Sequence, residues 1–449
     1  MPDIQREELH YDLLVKKVRI LDPEFRILDD MDIAIHDGRI AAVGKDLPGT
    51  ADEFLSGKGL LAMPGLVDAH HHNAQQLLRA KPIDEYPMIW TRFLVPFESN
   101  MTAEDMEVSS KLSALEMIKG GTTSFADAGG PHMDMTAKVT VESGMRGVIA
   151  RSTMDMGGNI PDSMKCSAEE NIRRTRELFD TWNGAGDGRV RIWFGIRQVM
   201  TCSEKLLRLT AEAAADLHTG MHAHLCEHKD EVSFCLTNYR MRPAAWLKET
   251  GCLGPNLLTA HNVVLSEEDI TLLAKHHVGT VHCPRSNLTN HGFPKTPRML
   301  EQGLSIGLGS DGAVTSSLSL WDEVKVLRNG IIGYWGLPIF DPVVLPVASL
   351  LRMMSQGGAD AIMQGDELGS IETGKLADII FIDVDQPHIM PTHNLPATLV
   401  EAVHAGDVRH SVINGKLVMK NRQILTLDEE KILYEAKKTM EDLSRRAGF

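Results

Sequence analysis

Between residues 61 and 366, short runs of apolar and β-branched residues recur, with stretches of helical period between them. Eight runs predict strands over Leu61–Ala69, Thr122–Ala128, Gly147–Met154, Val190–Gln198, Met221–Leu225, Asn256–Ala260, Gly279–His282 and Leu304–Gly309. The intervening helical patterns include Ala103–Lys119, Ala168–Thr181, Glu204–His218, Glu267–His276 and Thr296–Gln302, with Ser203 and Ser266 placed as N-caps. Asn183–Gly188 (NGAGDG) reads as a surface loop. Eight alternating strand–helix units are the arithmetic of a (β/α)8 barrel. The flanks differ in texture. Leu13–Leu21 and Asp32–Val43 read as strands, the second folded at Asp37-Gly38; Ala377–Asp383 and Ser411–Lys420 repeat the pattern, the latter folded at Asn414-Gly415. The chain is therefore expected to be α/β. A distorted TIM barrel takes residues 61–366, and a small composite β-sandwich with a C-terminal helix is built from 1–60 and 367–449.

Candidate chemistry falls at the predicted strand ends. The run MPGLVDAHHH closes strand one, and the two-residue period of a strand points His70 and His72 to one face. Strand five ends in His222-Ala223-His224-Leu225-Cys226-Glu227, strand six in Ala260-His261-Asn262, and strand eight in Gly309-Ser310-Asp311-Gly312. Catalytic groups of such barrels gather at the C-terminal ends of the strands, where these lie. Three histidines and a carboxylate match a zinc-type site that leaves a position open for water, whose pKa the metal lowers towards about 7. Glu227, three residues beyond His224, can reach the same pocket as a proton carrier, its pKa tuned upward by apolar surroundings. His261 reads either as a further ligand or as a hydrogen-bond donor to water and substrate. Two-metal barrels usually carry a carboxylated lysine on strand four, and Val190–Gln198 contains no lysine. One divalent ion is thus expected, held by His70, His72, His224 and Asp311, with His261 in the catalytic shell. His71 and His222 are assigned to the opposite face, as packing residues or as residues that support the ligands from behind. His282, in HCPRSN, reads equally as a pocket residue or a structural one.

Composition narrows the partners. A net charge of -15 argues against nucleic acid or an anionic membrane surface. The six cysteines form no CxxC pair and fit free thiols in a reducing compartment. Met1–His10 has no apolar signal core, and no run reaches the roughly 18 apolar residues of a membrane span. A soluble, cytoplasmic protein is expected.

PGLVDAHHH, the HxHxxE element at His222–Glu227, AHNVVLSEEDITLLA, HCPRSN, GLGSDGA and GSIETGKLADIIFID together resemble the amidohydrolase superfamily. The likeness covers nearly the whole chain. It is greatest to the cytosine-deaminase-like branch of mononuclear aminohydrolases, which includes methylthioadenosine/S-adenosylhomocysteine, guanine and pterin deaminases and triazine chlorohydrolases. The resemblance implies a barrel with a composite β-sandwich and hydrolytic removal of ammonia from an amino-substituted heteroaromatic ring. It further implies Glu227 as proton shuttle, His261 as polariser, and Asp311 as both ligand and base. Zn2+ is the expected ion, with Fe2+ the alternative, and a homo-oligomer acting on a small heterocycle is expected. Hydrolysis of a chlorotriazine or a cyclic amide is the competing use of the site, and a non-catalytic scaffold the remote one. For substrate, Val95-Pro96-Phe97-Glu98 resembles a segment that presents a glutamate to ribose, and Arg151 matches an arginine lining the pocket. Two departures count against a nucleoside. Arg197 replaces a substrate-contacting histidine at the end of strand four, and the loop Ala313–Ser317 is one residue short. A free heterocycle is therefore favoured, with Arg197 offering it paired donors.

Overall fold

The computed structural model describes residues 9–85, 89–158, 160–315 and 317–449; the first eight residues of the polar N-terminal stretch and Ser316 of the loop after Asp311 lie outside the described residues. The N-terminal strands are β1 (His10–Leu21), β2 (Ile27–His36), β3 (Arg39–Gly44), β4 (Thr50–Ser56) and β5 (Leu60–Pro64). β6 (Leu66–His71), β7 (Thr122–Asp127), β8 (Arg146–Arg151), β9 (Val190–Ile196), β10 (Met221–Leu225), β11 (Leu257–His261), β12 (Gly279–His282) and β13 (Ile306–Leu308) then close a parallel barrel, β13 pairing β6. β14 (Ile379–Asp383), β15 (Val408–Ile413), β16 (Lys416–Lys420) and β17 (Gln423–Ile424) return to the first five strands. Together these make one mixed sheet in the order β17-β16-β15-β14-β5-β1-β2-β3, with β4 also pairing β1. This is the TIM barrel with a β-sandwich unit drawn from both termini that the pattern of apolar runs predicts.

Local chemistry explains most element ends. Asp37 and Gly38 both have positive φ (49° and 73°), as do Asn414 and Gly415 (51° and 77°), the backbone that two-residue hairpins require. Ser203 accepts from Leu206 N, and Ser266 forms a capping box with Asp269. The expected single strand Leu61–Ala69 is two strands. β5 pairs β14 in the mixed sheet, and only β6 enters the barrel. Gly65 is the joint, because a Cβ there would lie 2.1 Å from Thr123 Oγ1, so any side chain would force the two sheets apart. β8 and β9 stop sooner than expected, which leaves Arg197 on the loop one residue beyond Ile196. Asn183–Gly188 is not all loop: Ala185–Gly188 forms a short helical turn broken by left-handed Gly186 and Asp187.

The C-terminal helix Glu429–Ala447 packs against Ala103–Gly120, where Arg446 binds Asp105 and Asn100 O. Just beyond it, Phe449 stacks on Phe97 and packs against Phe93. Phe97 belongs to the short helix Val95–Ser99, which continues a π-helical turn, Trp90–Leu94. π-Turns are uncommon and often mark functional segments. This one projects Trp90 towards the barrel mouth and is braced from outside by the end of the chain.

Candidate active site

The site is built by fixing strand ends against each other. Asp68, buried in β6, accepts from Ser310 N (3.0 Å) and Ser310 Oγ (2.6 Å), tying the first barrel strand to the loop after the last. Asp311 N donates to His70 O at 3.0 Å. That approach depends on Gly309: a Cβ there would lie 2.7 Å from His70 O and 2.8 Å from His70 Cβ. Asp311 itself has φ 59°, and His261 φ 73°, left-handed backbone that is rare outside glycine and concentrates at functional sites. Gly309→Ala should therefore displace Asp311 as well as strain the fold. Expected results are a lower melting temperature and at least about tenfold weaker metal affinity, the scale on which a misplaced ligand support is felt, measured by calorimetry and competitive chelation.

Four donor atoms converge at the barrel's C-terminal end. His70 Nε2 and His72 Nε2 lie 3.2 and 3.7 Å from Asp311 Oδ1, and His72 Nε2 lies 3.2 Å from His224 Nε2. A tetrahedral ion with bonds of about 2.0–2.2 Å holds its donors about 3.3–3.6 Å apart. Burial keeps the His72 and His224 rings well below their ordinary pKa, so both are neutral donors at pH 7. These pairs have the spacing a divalent metal needs; among the described residues, the groups whose donors all lie within 4.8 Å of one another are His70, His224 and His261, and His70, Cys283 and Asp311. A nitrogen of His261 also lies within 4.8 Å of nitrogens of His70 and His224, and His261 Nε2 has no hydrogen-bond partner among the described residues. Cys283 also approaches His70 and Asp311, and burial pushes its thiol well above the usual value. His71 faces away, with Nε2 2.9 Å from Ser113 Oγ and Nδ1 3.2 Å from Ser310 Oγ. His222 does not. Two residues from His224, it shares that residue's face, and its Nε2 lies 2.7 Å from His70 Nδ1, where it orients a ring of the donor cluster.

Glu227 and His261 flank this cluster. Glu227 Oε1 is 4.0 Å from His261 Nε2 and 3.1 Å from His291 Nε2. His291 was not singled out in the sequence; it follows the helix Pro284–Asn290 and carried no motif to mark it. Its presence reverses the expected tuning of Glu227. Burial pushes the carboxyl up, but the charge of His261 when protonated, and the hydrogen bond and charge of His291, hold Glu227 below the usual carboxylate range. The bond to Glu227 raises His291 against burial, whereas burial holds His261 down to about 4, so His261 is neutral at pH 7. The direction for Glu227 favours the ionised carboxylate at pH 7. Asn287 Nδ2 is 2.9 Å from His261 Nδ1 and fixes that ring.

Beneath Glu227, Glu231 Oε2 accepts from Glu227 N at 3.2 Å, while Oε1 has no partner among the described residues. Burial pushes the Glu231 carboxyl up to about 8 from 4.5. The fold binds this proton more tightly than the unfolded chain does. Its stabilising contribution is whole below about pH 4.5 and is lost as pH rises through about 8. Glu231→Gln should accordingly change the melting temperature little at pH 5 and raise it at pH 9, measured by calorimetry across that range.

The expected substrate residues separate. Arg197 lines a cavity of about 690 Å³ with His72, His224, Glu227 and Asp311, and Trp90 and Met200 provide apolar wall. Glu98 is buried beside it, with Oε1 accepting from Gln75 Nε2 at 2.9 Å and 3.8 Å from Arg197 Nη2. Arg151, bonded to Asn171, lies with Glu98 on a neighbouring cavity. His282 is outside both, its Nδ1 3.0 Å from His261 O and its Nε2 3.2 Å from Thr296 Oγ1, so its ring supports the strand ends.

A buried cluster of imidazoles and a carboxylate at the C-terminal ends of a (β/α)8 barrel, with an ionised glutamate beside it, defines a metal-dependent hydrolase. Residues 61–418 match the model of the Amidohydrolase family, and the chain belongs to that family. It is 36% identical to 5-methylthioadenosine/S-adenosylhomocysteine deaminase of Thermoanaerobacter pseudethanolicus, covering 97% of this chain and 100% of that protein. It is 34% identical to 5'-deoxyadenosine deaminase of Methanosarcina acetivorans, covering 97% and 99%. The crystal structure of an adenosine deaminase from Xanthomonas campestris with bound zinc superposes with a TM-score of 0.90 at 27% identity, over 98% of this chain and 100% of that one.

Proposed function

We propose that this chain hydrolytically deaminates an amino-substituted heteroaromatic ring, a 6-aminopurine before a pterin or triazine, releasing ammonia. The observation that carries this reading is Glu227, 4.0 Å from His261 Nε2 and lining one cavity with His72, His224 and Asp311. The deaminases of adenine-type nucleosides among its relatives support the purine ring. A single divalent ion held by His70, His72, His224 and Asp311, zinc before Fe2+, supplies the Lewis acidity that lowers the pKa of a water to about 7. Glu227, ionised, takes a proton from the attacking water and passes it to the ring nitrogen beside the amine-bearing carbon. His261, neutral and held by Asn287, keeps Nε2 directed at the adding oxygen and polarises it. Asp311 accepts the second proton, which leaves with the amine as ammonia, and the ring carbon becomes a carbonyl.

A net charge of -15 supports a small-molecule substrate rather than nucleic acid. No helix among the described residues is long and apolar enough to cross a membrane, and six free cysteines support a cytoplasmic setting. We also propose a homo-oligomer, supported by exposed Tyr334, Leu337, Ile339, Phe340 and Val343 on one short segment. The activity is tested by ammonia release from metal-loaded protein across aminopurines, aminopterins and aminotriazines. Release from at least one ring class is expected. Silence throughout, or chloride release from chlorotriazines without ammonia, contradicts the proposal.

A further inference from the structure

Glu227 is fixed only in part by its own segment. It lies two residues beyond the end of β10 at Leu225, after Cys226 with φ 49°, and a glutamate side chain has several rotatable bonds to hold. Glu231 accepts from Glu227 N at 3.2 Å, which secures the backbone and leaves the carboxylate to be placed by other groups. Those groups come from the strand and helix that follow. His291 Nε2 lies 3.1 Å from Glu227 Oε1, and His261 Nε2 lies 4.0 Å from the same oxygen. Both imidazoles are set by one residue, Asn287. Its Nδ2 is 2.9 Å from His261 Nδ1, and its backbone oxygen accepts from His291 N and Gly292 N, both at 2.8 Å. Its Oδ1 accepts from Cys283 N at 3.0 Å, which ties the helix Pro284–Asn290 to the end of β12. Gly292 has φ 125°, so the chain turns away directly after His291.

The two rings differ in what they touch. His261 belongs to a group of close donor atoms with His70 and His224; among the described residues His291 belongs to none. His291 therefore meets the site through Glu227. Their side chains are 20% and 16% exposed, so the pair is partly withdrawn from water and is screened less than a surface pair. The other titratable groups that face the His291 ring are His228, whose ring centre is 5.9 Å away, and Asp311; Lys229 and Asp230 line the same cavity. We propose that His291 is a positioning residue for the reaction: its contact with Oε1 fixes the Glu227 carboxylate and leaves the other oxygen for proton transfer. The inference rests on the deamination reading above and deepens it. No proton passes through His291, since the two protons of the water end on the ring nitrogen and on the departing ammonia.

The test uses metal-loaded protein and whichever aminopurine, aminopterin or aminotriazine the wild type turns over fastest. His291→Ala should keep its metal, lose at least about tenfold in kcat and change KM by less than about twofold, because a displaced base slows the chemistry without altering binding. His291→Gln retains an N–H donor at that reach and should recover to within about threefold of the wild-type kcat. Normal kcat in His291→Ala overturns the proposal, as do a loss carried by KM and a His291→Gln variant no better than His291→Ala. If His291→Ala does not fold, His291→Phe, a ring without a donor, takes its place under the same expectations. A second measurement needs no turnover. The His291 ring resonance, assigned by its absence from His291→Gln, should titrate at lower pH in Glu227→Gln than in the wild type, because the carboxylate favours the imidazolium. An unchanged midpoint overturns the pairing. If no ring releases ammonia, the deamination reading fails, and the titration still decides whether His291 holds Glu227.

Discussion

His70→Ala is expected to purify without bound metal and to lose at least about a thousandfold in kcat/KM. Lewis-acid stabilisation is worth several kcal/mol, and each 1.36 kcal/mol is a factor of ten. The effect is large because His70 lies at the centre of the cluster. Its ring touches Asp311 on one side and His222 on the other, and its centroid is 5.0, 4.8 and 5.0 Å from those of His72, His224 and His261. Removing it deletes a donor and leaves His222 Nε2 buried without its partner. Metal content by mass spectrometry and activity should fall together. A chelator that lowers the melting temperature of the wild type should leave that of the variant unchanged, since an ion bound only by the folded state stabilises only that state. A variant retaining stoichiometric metal would remove His70 from the ligand set.

Glu227→Gln separates proton transfer from metal binding. Glu227 lies outside the four-donor set, so the metal content of the variant should stay near that of the wild type. Turnover should fall by at least about a hundredfold, the usual scale for a positioned acid or base. The amide preserves shape and can still meet His291 at 3.1 Å, but it cannot accept a proton from water. The loss should therefore appear in kcat more than in KM. Normal turnover with normal metal would assign the proton transfer to another group, with Asp311 the next candidate.

What was legible in the sequence is what alternation and short motifs encode. The parity of His70 and His72, the three-residue step from His224 to Glu227, and the GSDG turn are local patterns, and all four donor residues could be placed on strand ends from them. Features set by tertiary approach were not legible. The low pKa of Glu227 depends on His261 and on His291, the latter 64 residues away by numbering and placed by the end of the helix Pro284–Asn290. The contact of Arg197 with Glu98 joins the end of β9 to the helix Val95–Ser99, and nothing in either segment announces the other. The division of strand one at Gly65 needed the position of Thr123 in the neighbouring strand. His222 is different, since the two-residue period that paired His70 with His72 also places it beside His224.

The central claim is that one ion, held by His70, His72, His224 and Asp311, serves the hydrolysis. Titration of zinc into chelator-stripped protein, followed by ammonia release, tests it most directly. The account predicts negligible activity without metal and a linear rise that reaches its plateau at one equivalent per chain. A plateau only at two equivalents, or full activity in protein shown to be metal-free, would contradict it.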